Sequence, residues 1–155
     1  MSKRANALAE RIEQGAEALL DAIGRVQAEG RPVFALFHTY QVHSPYTAPD
    51  AYDGLFGPDA CAVEPIAETL VPLQATAAEH LSPADFECLA SLYDRGIRHT
   101  DDVLRRVFED LAESGFLRNT LVVITSDHGE EFLDHGRWLH GRSVFDELIR
   151  VPLIL

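Results

Sequence analysis

Three short apolar runs frame this chain: residues 33–37 (Val-Phe-Ala-Leu-Phe), 121–125 (Leu-Val-Val-Ile-Thr) and 151–155 (Val-Pro-Leu-Ile-Leu). Each is too short for an amphipathic helix and predicts a buried strand. Elsewhere the apolar period is helical. Leu8, Ile12, Ala16, Leu19, Leu20, Ile23 and Val26 share one face of a helix placed at residues 6–28, which Gly30 and Pro32 stop. Ser82 predicts an N-cap, with Pro83 at the first helical position and Asp85 reaching back. The long helix that follows carries Leu89, Leu92, Tyr93, Ile97, Leu104, Val107, Phe108 and Leu111 along its stripe and ends at Gly115. Residues 59–81 lack a clean period, and Pro65 and Pro72 predict irregular structure there. Ser143 is the expected cap of a short helix through Leu148. Helices alternating with buried strands predict an α/β sandwich: a mostly parallel sheet flanked by helices, with all three runs in that sheet.

Charge removes one class of function. Lys and Arg number 13 against 25 Asp and Glu, a net charge of −12. Nucleic-acid binding needs a basic face to displace counterions from phosphates, and none is present. At 46% hydrophobic and 25% charged, the 155 residues fit one domain with a real core. No apolar run approaches the roughly 18 residues of a membrane span, so the chain as given reads as soluble. Any export signal or membrane segment would precede residue 1, and the compartment is left unspecified. Cys61 and Cys88 show no Cys-x-x-Cys spacing; neither a zinc knuckle nor a disulfide is expected, and packing is their predicted role. Ending on an apolar run, the chain is expected to be a truncated piece of a longer domain.

The chemistry concentrates after the second run. Ser126-Asp127-His128-Gly129-Glu130-Glu131 follows it directly, and ligands in open α/β sheets bind at the carboxyl ends of strands. Asp127 and His128 offer an oxygen and a nitrogen ligand on adjacent residues, with Gly129 expected to let the backbone turn tightly between them. An isolated Asp-His pair would be a capped turn with a solvated ring. Here His128, His135 and His140, three of the seven histidines, share one polar loop, and each precedes a glycine. That clustering favours a metal or an anion. His140, ahead of the helix expected at Ser143, is the candidate substrate contact; His135 fits a surface role or a supporting one equally well. Trp138 is expected to pack.

A second constellation follows the first run. His38-Thr39-Tyr40-Gln41-Val42-His43-Ser44-Pro45-Tyr46 opens a long loop, and long loops in compact domains are often functional. Pro45 restricts Ser44 and so fixes the direction of His43. His38, nearer the run, is expected to be buried.

Three segments in order carry a family resemblance: Tyr93-Asp94-Arg95-Gly96-Ile97-Arg98-His99-Thr100-Asp101-Asp102, residues 119–130 through Ser126-Asp127-His128-Gly129-Glu130, and Arg150-Val151-Pro152-Leu153-Ile154. With His43-Ser44-Pro45-Tyr46 as an H-x-P-Y segment, residues 31–155 resemble the second half of a sulfatase catalytic domain, in the alkaline phosphatase superfamily. Residues 1–155 would then be a partial sulfatase-like domain with the alkaline-phosphatase-like fold, truncated. The resemblance implies that Asp127 and His128 complete a divalent-metal site. It implies that His43 contacts the transferred group or assists the leaving group, and that His140 lies near a substrate-contacting Lys or His. Calcium is the metal it favours, with manganese or zinc suited to a histidine ligand.

The departures matter equally. The family's nucleophile motif, C-x-P-S-R or S-x-P-S-R, matches neither Cys61 nor Cys88, so this chain holds no nucleophile. The expected parent activity is metal-dependent sulfuric ester hydrolysis. Phosphomonoester, phosphodiester or phosphonate hydrolysis, or phosphoethanolamine transfer, fits the same residues, and an inactive truncated or binding module is the reading from a different class. The chain alone is expected to be inactive, to bind metal weakly, and to need the missing half of its domain or self-association to cover its strands.

Overall fold

A computed structural model describes residues 3–58 and 60–155, with the side chains of the first helix described from Glu10 onward. Leu8 of the expected stripe lies outside those side chains. The chain divides into two compact units, residues 1–56 with 92–120 and residues 57–91 with 121–155.

In the first unit, α1 (Lys3–Ala28) is the expected amphipathic helix. The later turns of α4 (Pro83–Glu113) supply its partner. Ile12, Ala16 and Ile23 pack with Val103, Val107 and Leu111 in one buried cluster, flanked by Leu19, Leu20, Val33 and Phe37. Spacings of three, four and seven residues put these side chains on single helical faces, so burial of an apolar stripe drives the pairing. A 3-10 turn, Phe116–Asn119, follows Gly115, whose φ of 74° is the left-handed conformation that ends a helix.

Residues 33–37 form no strand. Phe34 and Leu36 are solvent-exposed while Val33 and Phe37 pack on the helical cluster. Only the two ends of the run, four residues apart, face the core, and the three residues between them are exposed.

The second unit begins with the segment expected to be irregular. It contains α2 (Ala67–Leu73), which carries Pro72, and α3 (Ala77–His80). The capping box at the start of α4 forms as expected: the Asp85 N–H donates to Ser82 Oγ at 3.2 Å, and the Ser82 N–H donates to Asp85 Oδ2 at 2.9 Å. Those hydrogen bonds from Ser82 hold the Asp85 carboxyl below its ordinary pKa. Cys61 and Cys88 form a disulfide, contrary to the expectation of two packing thiols. Their spacing of 27 residues carries no local signal; the fold of residues 57–91 brings them together.

The expected parallel sheet is not what the second unit shows. β1 (Ile124–Thr125) pairs antiparallel with β4 (Leu153–Ile154), and β2 (Glu131–Phe132) pairs antiparallel with β3 (Trp138–Leu139). Only the last two of the three apolar runs pair, and each contributes two residues. Trp138 is wholly buried, with Phe86 and Phe132 edge-on to its ring. Ser143 caps nothing: α5 (Asp146–Ile149) starts after Phe145. No helix among the described residues is long and apolar enough to cross a membrane.

Candidate functional site

Leaving β1, the chain places Asp127 at the surface and His128 half-buried. The His128 backbone N–H donates to Asp127 Oδ1 at 3.1 Å, and His128 Nε2 lies 3.8 Å from the same oxygen. Gly129 is required here for a reason other than the turn expected of it. A Cβ at this position would meet the Glu147 carbonyl oxygen at 1.9 Å, because the Gly129 N–H donates to the Leu148 carbonyl at 2.8 Å. The glycine lets α5 close against the Asp-His segment.

His140 comes back onto His128. The two rings stack at 3.9 Å with planes 27° apart. Two devices hold the returning loop. Gln74, at the end of α2, accepts from the Trp138 N–H through its carbonyl, donates from Nε2 to the His140 carbonyl, and accepts from Arg142 Nε through Oε1. Leu139, just before His140, sits at φ 67° in the left-handed region, a conformation costly for leucine and held here by its β3 pairing and full burial.

Ring polarity is set by the partners of Nδ1. His128 Nδ1 donates to the Gly129 carbonyl at 2.7 Å, since a carbonyl can only accept. His140 Nδ1 donates to the Glu130 carboxylate at 2.8 Å. In its neutral form each imidazole then carries its lone pair on Nε2, the nitrogen that binds a metal or takes a proton. One ring nitrogen of each lies within 4.8 Å of the other. His43, in the first unit, follows the same rule: its Nδ1 donates to the Ser44 carbonyl at 2.7 Å.

The loop bearing His43 is anchored by the long helix. Tyr46 is buried edge-on against Tyr93 at 5.5 Å, and the buried Arg95 donates to Asp53 at 2.8 Å. Gln41 bridges the loop by donating to the Thr47 carbonyl at 2.6 Å. Helix and loop meet at Gly96, where a Cβ would stand 3.4 Å from the Gln41 carbonyl oxygen. His43 lines a cavity of about 370 Å³ with Tyr40, Gln41 and Thr47. His38 also lines it and is exposed, not buried as expected, because the run before it is not a buried strand.

Of the expected residues, the structure brings Asp127, His128 and His140 together in one unit. His43 belongs to the other. Glu130, Glu131 and Glu147 were not singled out from the sequence. Glu130 was findable, since the Asp-His-Gly-Glu run places a carboxylate two residues after the histidine; Glu147 pairs with His135 only through tertiary folding. The four-residue α5 offers no N-terminal anion site beside His140, whose ring instead contacts Glu130 and His128.

A short, apolar-run-to-loop segment that presents imidazole Nε2 atoms beside a carboxylate defines a site suited to a divalent ion or an anionic ester. The sulfatase family profile matches residues 6–155, and the chain belongs to the sulfatase family. Membership implies the alkaline-phosphatase-like α/β fold. Among curated relatives, a multifunctional alkaline phosphatase superfamily protein of Trinickia caryophylli is 30% identical over 82% of this chain and 29% of its own length. Iduronate 2-sulfatase of Mus musculus is 23% identical over 92% of this chain and 30% of its own length. Arylsulfatase K of Danio rerio is 30% identical over 49% of this chain and 14% of its own length. The chain spans less than a third of each relative.

Proposed function

We propose that these residues form part of a metal-dependent hydrolase of sulfuric esters. Asp127 and His128 are its metal ligands, His140 contacts the substrate, and His43 contacts the transferred group or assists the leaving group. The observation that carries the reading is the shared polarity of the three imidazoles, each with Nδ1 donating and Nε2 basic. Glu130 holds the His140 ring in that tautomer and would stabilise the imidazolium when the ring takes a proton. A bound divalent ion, calcium first and manganese or zinc next, would polarise the ester and offset charge on its non-bridging oxygens. The same residues suit a phosphoester or phosphonate, and the relative described as multifunctional keeps that second reading in play.

Neither Cys61 nor Cys88 matches the family's nucleophile motif, so on this reading residues 1–155 are part of a catalytic domain and are expected to give no turnover alone. Leu121, Val123, Leu153 and Ile154 flank or form the β1–β4 pair and are exposed, which suits coverage by further sheet from the same domain. Assay of the purified chain on aryl sulfate and aryl phosphate esters with calcium, manganese or zinc is expected to give no metal-dependent turnover. Turnover lost in both Asp127→Ala and His128→Ala, with folding retained, would overturn the partial-domain reading. Coding sequence upstream of residue 1 decides between the two ester classes: C-x-P-S-R supports the sulfatase, and Ser or Thr in another context supports phosphoryl transfer.

A further inference from the structure

Glu131 is 0% exposed, and both of its carboxylate oxygens lack any hydrogen-bond partner among the described residues. A carboxylate buried without hydrogen-bond partners is unfavourable unless a cation or donor reaches it. Its surroundings supply what is missing. One oxygen of Glu131, one ring nitrogen of His135 and one oxygen of Glu147 all lie within 4.8 Å of one another. His135 and Glu147 are already engaged at 2.5 Å, and Phe145 stacks on the His135 ring at 3.7 Å with planes 11° apart, fixing its orientation. Burial works to raise the Glu147 carboxyl, but its own backbone hydrogen bond and the His135 ring outweigh that and leave it below its ordinary pKa.

From this geometry we propose a second metal site, made by Glu131, His135 and Glu147, that takes a divalent transition ion of the zinc class. The donor set is one imidazole and two carboxylates, which suits zinc, with solvent at the fourth position through the exposed His135 edge. Ligand atoms around a tetrahedral zinc stand about 3.4 Å apart, so the cluster closes on an ion by side-chain movements of about an ångström. Two carboxylates and one divalent cation sum to zero charge, which removes the penalty on Glu131. The ion also ties β2 to α5, the helix against which Gly129 packs. None of the three residues is shared with Asp127, His128 or His140, and the proposal does not depend on the ester-hydrolase reading.

The test is a Zn2+ titration of the full chain against a chromophoric chelator, carried out in the Asp127→Asn/His128→Ala background so that the other site is silent. One saturable equivalent is expected, with a Zn2+-dependent rise in Tm. Glu131→Gln keeps the shape and removes the charge, and should weaken Zn2+ at least tenfold and abolish the Tm rise. His135→Gln should do the same. Substituted Co2+ should give visible bands of a tetrahedral site, lost in both variants. Zn2+ binding unchanged in Glu131→Gln, or absent from the Asp127→Asn/His128→Ala background, overturns the proposal.

Discussion

The two units solve the same problem by different means. In the first, α1 and the later turns of α4 present aliphatic stripes to each other, and the core is a row of side chains at helical spacing. In the second, one tryptophan anchors a small core, and much of what holds the loops is polar or covalent: Gln74 bonded to the loop at both its backbone and side chain, the Cys61–Cys88 disulfide, and the close approach of α5 at Gly129. A stripe buries area in small increments and tolerates change. A loop held by a few specific contacts positions histidines well and fails at single points.

The sharpest way to break the second unit is Gly129→Ala. The added Cβ meets a backbone carbonyl that has no side-chain freedom to yield, and the cost is expected to exceed ~3 kcal/mol. Denaturant melts followed by the fluorescence of Trp138 would measure it, and a near-native midpoint would show that α5 is not packed as described. In the first unit the matching test is Ile12→Ala, which truncates a 2% exposed side chain and is expected to cost about 3 kcal/mol. Less than ~1 kcal/mol there would mean that the stripe is not what stabilises α1 on α4.

Opening the disulfide comes next. Cys61→Ser, or reduction of the parent chain, releases a loop of 27 residues and is expected to lower stability by about 2–3 kcal/mol. Equal melts with and without reductant would show that the hydrogen bonds and the Trp138 core suffice for the second unit.

The smallest effect probes the polar exception inside the apolar unit. His99 is 1% exposed, and burial pushes its pKa below 6.5 although Glu13 lies 3.5 Å away and acts in the opposite sense. Above pH 6.5 the ring is neutral folded or unfolded. On acidification below 6.5 the unfolded chain takes up the proton first, so stability falls until the folded-state pKa is reached. A Tm measured from pH 7.5 to 5 should decline in the parent chain more steeply than in His99→Gln. Parallel profiles would show that Glu13 offsets the burial and that folding leaves the His99 pKa unshifted.

The amino-acid sequence determined the features that are local in the chain. Helix hydrogen bonds run between residues four apart, so the stripe on α1, the length of α4 and the Ser82–Asp85 cap could be read directly. Asp127, His128 and His140 were legible because they cluster in one polar loop after an apolar run. Tertiary structure alone decided the rest, because partners far apart in sequence leave no period. β1 finds β4 across 27 intervening residues; Cys61 finds Cys88; His135 finds Glu147. Residues 33–37 have the composition of a strand and form none, since strand character depends on the neighbour that supplies hydrogen bonds rather than on the run itself. Glu130 and Glu131 make the point most closely: adjacent and chemically identical, one turns to the His140 ring and the other is buried without a hydrogen bond, because successive side chains of extended backbone face opposite ways and only the fold decides what each face meets.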